Sequence, residues 1–220
     1  STVQVRYEFQ GEEKQVDTSY LFLALGREPA TNSLNLESSG VSVLPSGHIQ
    51  TNHFQQSTCP TIYAAGDCAG PYEIVHIAIK QGETAALHAL GKQVRPIAYD
   101  SLLSVVFTDP QLAVVGQSPS QLKANGINFS SASYPFDDHG KSILMDAKHG
   151  YVAVHAESET GKVLGAECVG KDAGELIHSM SVAVGLQATV HDLLKADWYH
   201  PTLSEIWTYP LEDLAEEIAV

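Results

Sequence analysis

The first part of the chain alternates hydrophobic and polar positions with a period of two. Val3, Val5, Tyr7 and Phe9 take every second position of the run TVQVRYEF, which predicts a strand with one apolar face. The polar stretch GEEKQ then predicts a turn, and the apolar run SYLFLALG predicts a second, buried strand. We therefore expect a hairpin that leads into a buried strand.

A strand, a Gly-Asp pair and a helix follow in that order. After a loop rich in Asn, Ser, Gly and Pro, the pattern predicts a short buried strand from Ile62 to Ala65, directly before Gly66 and Asp67. The segment EIVHIAIKQGETAALHALG then has apolar residues at helical spacing, and Gly91 is placed to end the helix.

The second half of the chain has the pattern of an antiparallel sheet. The extended runs are LLSVVFT, QLAVVG, NFSSASYPF, YVAVHAES and KVLGAECVG. The turn-forming pair Asp109-Pro110 joins the first two runs, and the Gly-bearing turn ETG joins the last two. Between them, SPSQLKANG predicts a short helix that Ser118 and Gln121 cap and Gly126 ends.

Helices occupy the rest of the chain. They are predicted over DAGELIHSMSVAVGLQ and TVHDLLKAD, and a last helix is predicted to begin at about Pro201 or Thr202. Strands followed by helices predict an α+β fold in which helices cover one face of an antiparallel sheet. The composition changes between residues 92 and 99, where we place a domain boundary.

Composition and charge argue against several classes of partner. The chain has 220 residues and a formal net charge of -14, which repels nucleic acids and anionic membrane surfaces. No apolar run is long enough to span a membrane, and the first residues lack the pattern of a signal peptide, so we expect a cytoplasmic protein. Cys59, Cys68 and Cys168 have no metal-ligand spacing, so we expect buried thiols and no metal site.

The stretch WYHPTLSEIW near the C-terminus has the residue types of an acid/base pair. Proline pushes the preceding residue out of the α region, so His200 is expected in extended chain just before a helix. Glu205, one turn inside that helix, is then able to hold one imidazole nitrogen while the other faces a substrate. The spacing permits a dyad of His200 and Glu205.

The same residues also fit a structural role. Thr202, Leu203, Ser204 and Glu205 match a capping box, in which Glu205 only satisfies backbone amides. Asp67 is equally typical of an ordinary turn, and Gly26 of the end of a strand. Trp198 and Trp207 are typical of core or interface aromatics. Five further histidines have no ligand spacing, and for them we expect surface positions or satisfied core positions: His139, His149, His155, His178 and His191.

Five segments in order resemble the pyridine nucleotide-disulfide oxidoreductases, especially the dihydrolipoamide dehydrogenase and glutathione reductase branch. They are YLFLALGREP, TIYAAGDCAG, VVFTDPQLAVVG, GKVLGAECVGKDAGELI and HPTLSE. The resemblance implies that residues 1–27 end an NAD(P)-binding domain, that 28–98 close an FAD-binding domain, and that 99–220 form a dimerisation domain. It also implies a homodimer that acts on a disulfide or dithiol substrate.

The resemblance assigns roles to individual positions. His200 matches the histidine that serves as acid/base partner of a reactive dithiol. In the family this histidine lies in the active site of the partner subunit, and Glu205 matches the residue that orients it. Gly66 and Asp67 match the segment that holds the ribityl and phosphate region of FAD. The helix start at Ile74, Val75 and His76 matches the amides that face the flavin ring, and Gly26 matches the backbone that passes near NAD(P)H.

Three features of the family are absent from the sequence. It contains no G-x-G-x-x-G fingerprint for either nucleotide, and Cys59 and Cys68 do not have the C-x-x-x-x-C spacing of the redox pair. We therefore expect the C-terminal part of such an enzyme. The alternative is an inert dimerisation or interaction module.

Overall fold

The computed structural model describes residues 2–218. The chain divides into two compact units, with the division between Ile97 and Ala98. The first unit carries the Gly-Asp segment, and the second carries the five-stranded sheet and the C-terminal histidine.

The first unit begins with the hairpin of β1 (Val3–Phe9) and β2 (Glu12–Thr18). Its turn is formed by Gln10 and Gly11, whose φ angles are 55° and 80°, as a tight hairpin turn with two left-handed residues requires. The prediction that GEEKQ forms the turn is therefore wrong, because most of this stretch lies in β2. The polar strand forms because the hairpin ladder satisfies its backbone without needing apolar side chains.

Two predicted strands of the first unit are also wrong. The run SYLFLALG has no regular structure, and Tyr20, Phe22 and Leu25 are strongly exposed. A buried strand needs hydrogen-bonded neighbours, and no other strand pairs with this run within residues 2–218. In the predicted strand from Ile62 to Ala65, pairing is limited to an isolated bridge between Gln56 and Tyr63.

The helix of the first unit is confirmed. It is α1 (Val75–Ala89), and Ile77, Gln81, Thr84 and Ala85 face inward. Gly91 follows the helix with a φ of 66° and donates its N–H to the His88 carbonyl at 2.9 Å, as a glycine that ends a helix does. A small apolar cluster, Val41, Ile49, Ala64 and Ala69, forms the core of this unit.

The second unit is built on one antiparallel sheet, as predicted. Its strand order is β3-β4-β7-β6-β5, and the strands are β3 (Leu103–Val106), β4 (Gln111–Gly116), β5 (Phe129–Pro135), β6 (Tyr151–Glu157) and β7 (Val163–Gly170). The helix α2 (Pro119–Ala124) has the predicted capping box of Ser118 and Gln121. The strands meet as hairpins because short turns join β3 to β4 and β6 to β7.

Helices cover one face of this sheet. The helix α4 (Ala173–Leu186) packs on β4 and β7, and α6 (Thr208–Glu217) packs on β5 and β6. The short α5 (Val190–Leu194) packs on α6. The core between the layers contains Val152, Val154, Ile177, Met180, Trp207, Leu211 and Leu214, all fully buried.

Two local features differ from the prediction. The last helix does not begin at Pro201 or Thr202: a 3₁₀ turn at Ser204–Trp207 comes first, and α6 begins at Thr208. A short helix that the sequence pattern did not indicate, α3 (Gly140–Leu144), lies between β5 and β6. Both features shape the surroundings of Glu205.

Candidate active site and cofactor-binding residues

The structure brings His200 and Glu205 together. Nδ1 of His200 lies 2.9 Å from Oε2 of Glu205, which is hydrogen-bond distance. His200 lies in a bend of the chain before the 3₁₀ turn, and Glu205 lies inside that turn. The contact between these residues is possible because the chain bends between them instead of continuing as one helix, on which they would point apart.

The capping interpretation holds for Thr202 but not for the Glu205 carboxylate. The Glu205 N–H donates to the Thr202 hydroxyl at 3.3 Å, which is half of a capping box. In the other half, the carboxylate would return to the backbone N–H of the capping residue. Here it contacts imidazole nitrogens instead, through both of its oxygens.

The two partners differ in exposure. The His200 side chain is 80 % exposed, whereas that of Glu205 is 12 % exposed. A carboxylate at Oε2 favours the tautomer in which His200 carries its proton on Nδ1, which leaves Nε2 as a base on the exposed side of the ring. The arrangement can therefore take up and return a proton at Nε2 while Glu205 stabilises the charged ring.

A second histidine, His139, lies on the other side of Glu205. Its Nε2 is 3.3 Å from Oε1 of Glu205, and its Nδ1 is 2.7 Å from the Ser142 hydroxyl. The Nε2 contact lacks the angular geometry of a hydrogen bond. His139 is only 1 % exposed. The sequence predicted a surface position or a satisfied core position for it and did not indicate its contact with Glu205. No motif spacing links these residues in the sequence, and only the folded chain reveals the contact.

Burial changes the protonation of His139. Loss of hydration lowers the pKa of the His139 imidazole below its ordinary value, while the nearby Glu205 carboxylate opposes the shift. The ring is therefore mainly neutral near pH 7. It does not form a permanent ion pair with Glu205.

Trp207 anchors the segment that carries Glu205. Its ring is fully buried, and its Nε1–H donates to the Leu176 carbonyl at 3.1 Å. Ile206 is also fully buried. Because these two side chains enter the core directly after Glu205, they fix the 3₁₀ turn that presents the carboxylate. Trp207 is thus a core aromatic, one of the two roles that the sequence left open.

In the first unit, Gln81 organises the segment that follows Asp67. The fully buried Gln81 side chain accepts from the Gly66 N–H at 2.7 Å and donates to the Gly70 carbonyl at 2.8 Å. Gly66 has a φ of 81°, which few side chains tolerate. The α1 helix therefore holds the Gly66–Gly70 loop through one side chain that the sequence pattern did not single out.

Asp67 is part of a charged group on this unit. Its Oδ2 accepts from Nη1 of Arg27 at 2.9 Å, and Nε of Arg27 is 3.9 Å from Glu73. Glu73 in turn lies 3.6 Å from Nε2 of His48. Asp67 remains about half exposed, so it differs from an ordinary turn aspartate by its cationic partner and not by burial.

The start of α1 has donor groups available for a ligand. Ile74 is the capping residue in extended conformation, Val75 is exposed, and the first amides of a helix have no acceptor within it. Nε2 of His76 is buried and has no hydrogen-bond partner among residues 2–218. An unpaired buried nitrogen beside free amides fits the flavin that the family resemblance implies. Gly26 lies apart from these groups in sequence, exposed and with a φ of 124°.

Two kinds of feature are absent from the part of the chain that the structure describes. Among residues 2–218, no group of three or more His, Cys, Asp and Glu side chains is close enough to hold a metal ion. Within the same residues, no helix has the length and apolar character to cross a membrane.

Two family models match the chain. The model of the pyridine nucleotide-disulphide oxidoreductase dimerisation domain matches residues 102–210, and the model of pyridine nucleotide-disulphide oxidoreductase matches residues 2–82. The chain belongs to this family. The two matches correspond to the second and first compact units.

Relatives of known sequence agree with the family assignment. The dihydrolipoyl dehydrogenase of Bacillus subtilis is 33% identical over 93% of this chain and 43% of its own length. That of Thermus scotoductus is 36% identical over 89% of this chain and 42% of its own length. The chain therefore spans less than half the length of these relatives.

Solved structures show the same fold. LpdA from Mycobacterium tuberculosis superposes with a TM-score of 0.84 at 30% identity, over 91% of this chain and 44% of that one. The HOCl-induced flavoprotein disulfide reductase RclA from Escherichia coli superposes with a TM-score of 0.83 at 23% identity, over 95% and 48% of the two chains. At that identity the second similarity concerns the fold alone.

Proposed function

We propose that this chain is the C-terminal part of an FAD-dependent, NAD(P)H-linked disulfide oxidoreductase of the dihydrolipoamide dehydrogenase type. The observation that carries the proposal is the 2.9 Å contact between His200 and Glu205, with the histidine exposed and the carboxylate largely buried. An exposed imidazole held by a carboxylate is the arrangement that general acid/base catalysis needs. The dihydrolipoyl dehydrogenases among its relatives support the choice of reaction.

His200 manages protons during dithiol-disulfide exchange. Nε2 accepts the proton of a substrate thiol, so that the resulting thiolate can attack a disulfide, because the thiolate is the nucleophile in this exchange. The protonated ring then donates the same proton to the departing thiolate. Glu205 stabilises the imidazolium between these steps and keeps Nδ1 protonated. The redox cysteine pair belongs to a part of the enzyme that this chain does not contain.

The first unit contributes to cofactor binding. By the family resemblance, Gly66 and Asp67 would hold the ribityl and phosphate region of FAD, and the amides at Ile74, Val75 and His76 would serve the flavin ring. Helix N-termini favour electron-rich groups, and the unpaired Nε2 of His76 offers a further polar contact. Gly26 would contribute backbone near the nicotinamide nucleotide. When bound, FAD passes reducing equivalents between NAD(P)H and the disulfide.

The second unit forms a homodimer, in which His200 of one subunit serves the active site of the partner subunit. The match of residues 102–210 to a dimerisation domain supports this proposal. A histidine ring that is 80 % exposed on its own chain fits a group that acts on a site formed elsewhere.

The test is the variant His200→Gln in the full-length enzyme. We expect turnover with a dithiol substrate to fall by about 10²-fold or more, the usual effect of losing an acid/base group. Reduction of the bound flavin by NAD(P)H should remain, since that step does not use His200. The control is His53→Gln, which removes an exposed histidine in the first unit. Unchanged turnover in the His200 variant would remove this residue from the mechanism.

A second candidate is an interaction module without catalysis. It is favoured by the absence of both glycine fingerprints and of the redox cysteine spacing from the 220 residues. It predicts a dimeric, colourless chain after purification. Flavin absorbance together with NAD(P)H-dependent dye reduction by the purified chain would exclude it.

A further inference from the structure

We propose that His139 is a positioning residue that keeps the Glu205 carboxylate directed at His200. The inference deepens the proposed acid/base function of His200 and rests on it. His139 itself touches no substrate: it is 1 % exposed and lies behind Glu205.

The carboxylate lies between two imidazoles. Oε2 of Glu205 is 2.9 Å from Nδ1 of His200, and Oε1 is 3.3 Å from Nε2 of His139. A carboxylate with a single partner can rotate about its side-chain torsions. A second contact on its other oxygen removes that rotation, and it does so from the buried side, where water cannot compete.

His139 faces the Glu205 carboxylate as a neutral imidazole. Burial lowers its pKa, and the Ser142 hydroxyl at 2.7 Å from Nδ1 can donate to that nitrogen. The tautomer with a proton on Nε2 then points its N–H side at the carboxylate. A neutral His139 ring at this distance leaves the negative charge of Glu205 available for His200, whereas a charged His139 would compete for it.

Two tyrosines lie on another side of His139. The Tyr209 ring stands edge-on to it at 6.1 Å, and Tyr134 stacks on Tyr209 at 3.9 Å. The hydroxyl of Tyr134 donates to Asp138 at 3.0 Å. The Glu205 carboxylate thus faces the Nε2 side, His200 adds its influence from beyond that carboxylate, and Tyr209 packs against the ring.

The segment that carries His139 is held rigidly enough to act as a support. Phe136 is fully buried, and its N–H donates to the Gly150 carbonyl at 3.1 Å. A Cβ at Gly170 would lie 2.5 Å from the Phe136 ring, so the ring occupies space that only glycine leaves open. Ser142 is fully buried in α3 and fixes the far side of the imidazole.

His139 also selects between two roles of Glu205. The Glu205 N–H already bonds the Thr202 hydroxyl, so a carboxylate released from His139 has the Thr202 N–H as an alternative partner in a complete capping box. In that geometry the carboxylate leaves His200. His139 therefore favours the catalytic orientation over the structural one.

The experiment compares His139→Phe with His139→Gln in the full-length enzyme with FAD bound. The phenylalanine keeps a buried ring but loses the Nε2 contact with Oε1 of Glu205, so we expect kcat for the dithiol step to fall about 10-fold, with KM within about 2-fold. Glutamine retains a donor and should keep kcat within about 3-fold of the native value. Nitrogen-15 NMR should show His200 shifting from the Nδ1–H toward the Nε2–H tautomer in the phenylalanine variant only.

Two further arms separate this inference from the proposed function. Ser142→Ala is a small change that tests the same chain of contacts if His139→Phe does not fold, and we expect it to lower kcat about 3-fold. In a His200→Gln background, His139→Phe should cause no further loss of kcat, since it acts through His200. A native His200 tautomer and native kcat in both the His139→Phe and the Ser142→Ala variants would overturn the inference, whereas native turnover in His200→Gln would overturn the proposed function.

Discussion

Nδ1 of His200 and Oε2 of Glu205 lie 2.9 Å apart although the side chains belong to a stretch where a continuous helix would separate them. The chain achieves this with a bend at His200 and Pro201 and a 3₁₀ turn at Ser204–Trp207. The path of the backbone therefore brings the two side chains together, which their five-residue spacing alone does not determine.

Replacing Glu205 by glutamine tests the charge of the pair. The amide keeps the size and a hydrogen-bond acceptor, but it cannot stabilise an imidazolium, so we expect turnover of the full-length enzyme to fall by about 10-fold to 10²-fold. Steady-state kinetics with a dithiol substrate measure this. Glu216→Gln, an exposed change on α6, is the matched control and should keep native turnover. Equal losses in the two variants would point to a general effect of charge.

The buried histidines make stability depend on pH in a defined direction. Burial lowers the pKa of His139 and of His155 from 6.5, so near and below that value the unfolded chain binds more protons than the folded one. The free energy of unfolding therefore falls as the pH drops through 6.5 and levels off below the folded pKa values. Urea unfolding at about pH 7.5 and about pH 5.5 measures the difference.

The contribution of His155 can be isolated. His155 lies in β6 between the Ser131 hydroxyl at 2.8 Å and Glu167 at 3.4 Å. The measured quantity is the difference in the free energy of unfolding between the two pH values. In His155→Gln this difference should be smaller than in the native chain, even if the variant is less stable at both pH values. His53→Gln removes an exposed histidine and should leave the difference unchanged. An unchanged difference in His155→Gln would contradict the expected burial effect.

Trp207 and Trp198 form a natural comparison of buried and half-buried indoles. Trp207→Phe leaves a cavity and weakens the bonding of the Leu176 carbonyl in the core, so we expect a loss of about 2 kcal/mol in the free energy of unfolding. Trp198 donates to the Leu193 carbonyl at 3.0 Å but is only partly buried. Trp198→Phe should cost less than about 1 kcal/mol, because water can replace the lost donor. Urea titrations of both variants check the order.

The three cysteines should react with thiol reagents in a fixed order. Burial raises the pKa of Cys168 to about 12, so it should stay unmodified in the folded chain and react after denaturation. A hydrogen bond from Thr61 lowers the pKa of Cys59, so its thiolate should react first. Mass spectrometry after brief labelling gives the order, with Cys59→Ser as the control. Early labelling of Cys168 would show that the sheet opens readily.

Local rules predicted the elements whose signals are contained in a few residues. The capping box of Ser118 and Gln121, the stop at Gly91 and the hairpin of β6 and β7 all form as predicted, because neighbours along the chain determine them. The predicted strands near Tyr20 and Ile62 do not form, since a strand depends on partners that are distant in sequence.

The candidate site was predicted only in part, for a similar reason. The pairing of His200 with Glu205 follows from a proline and a five-residue spacing, and the sequence left it open against capping. The contact of His139 with Glu205 joins the loop after β5 to the 3₁₀ turn, and no local pattern encodes such a meeting. Gln81 escapes notice likewise, because its importance comes from the loop that it bridges.

The irregular run from Ser19 to Leu25 has a practical consequence for anyone who handles this chain. It presents Tyr20, Phe22, Leu23 and Leu25 to water, and it combines aromatic and branched residues with no charge and no proline. Such a run is a template for intermolecular β-pairing. Aggregation should therefore rise steeply with concentration. Replacing Phe22 by lysine should keep the isolated polypeptide dispersed without changing either α1 or the pair of His200 and Glu205.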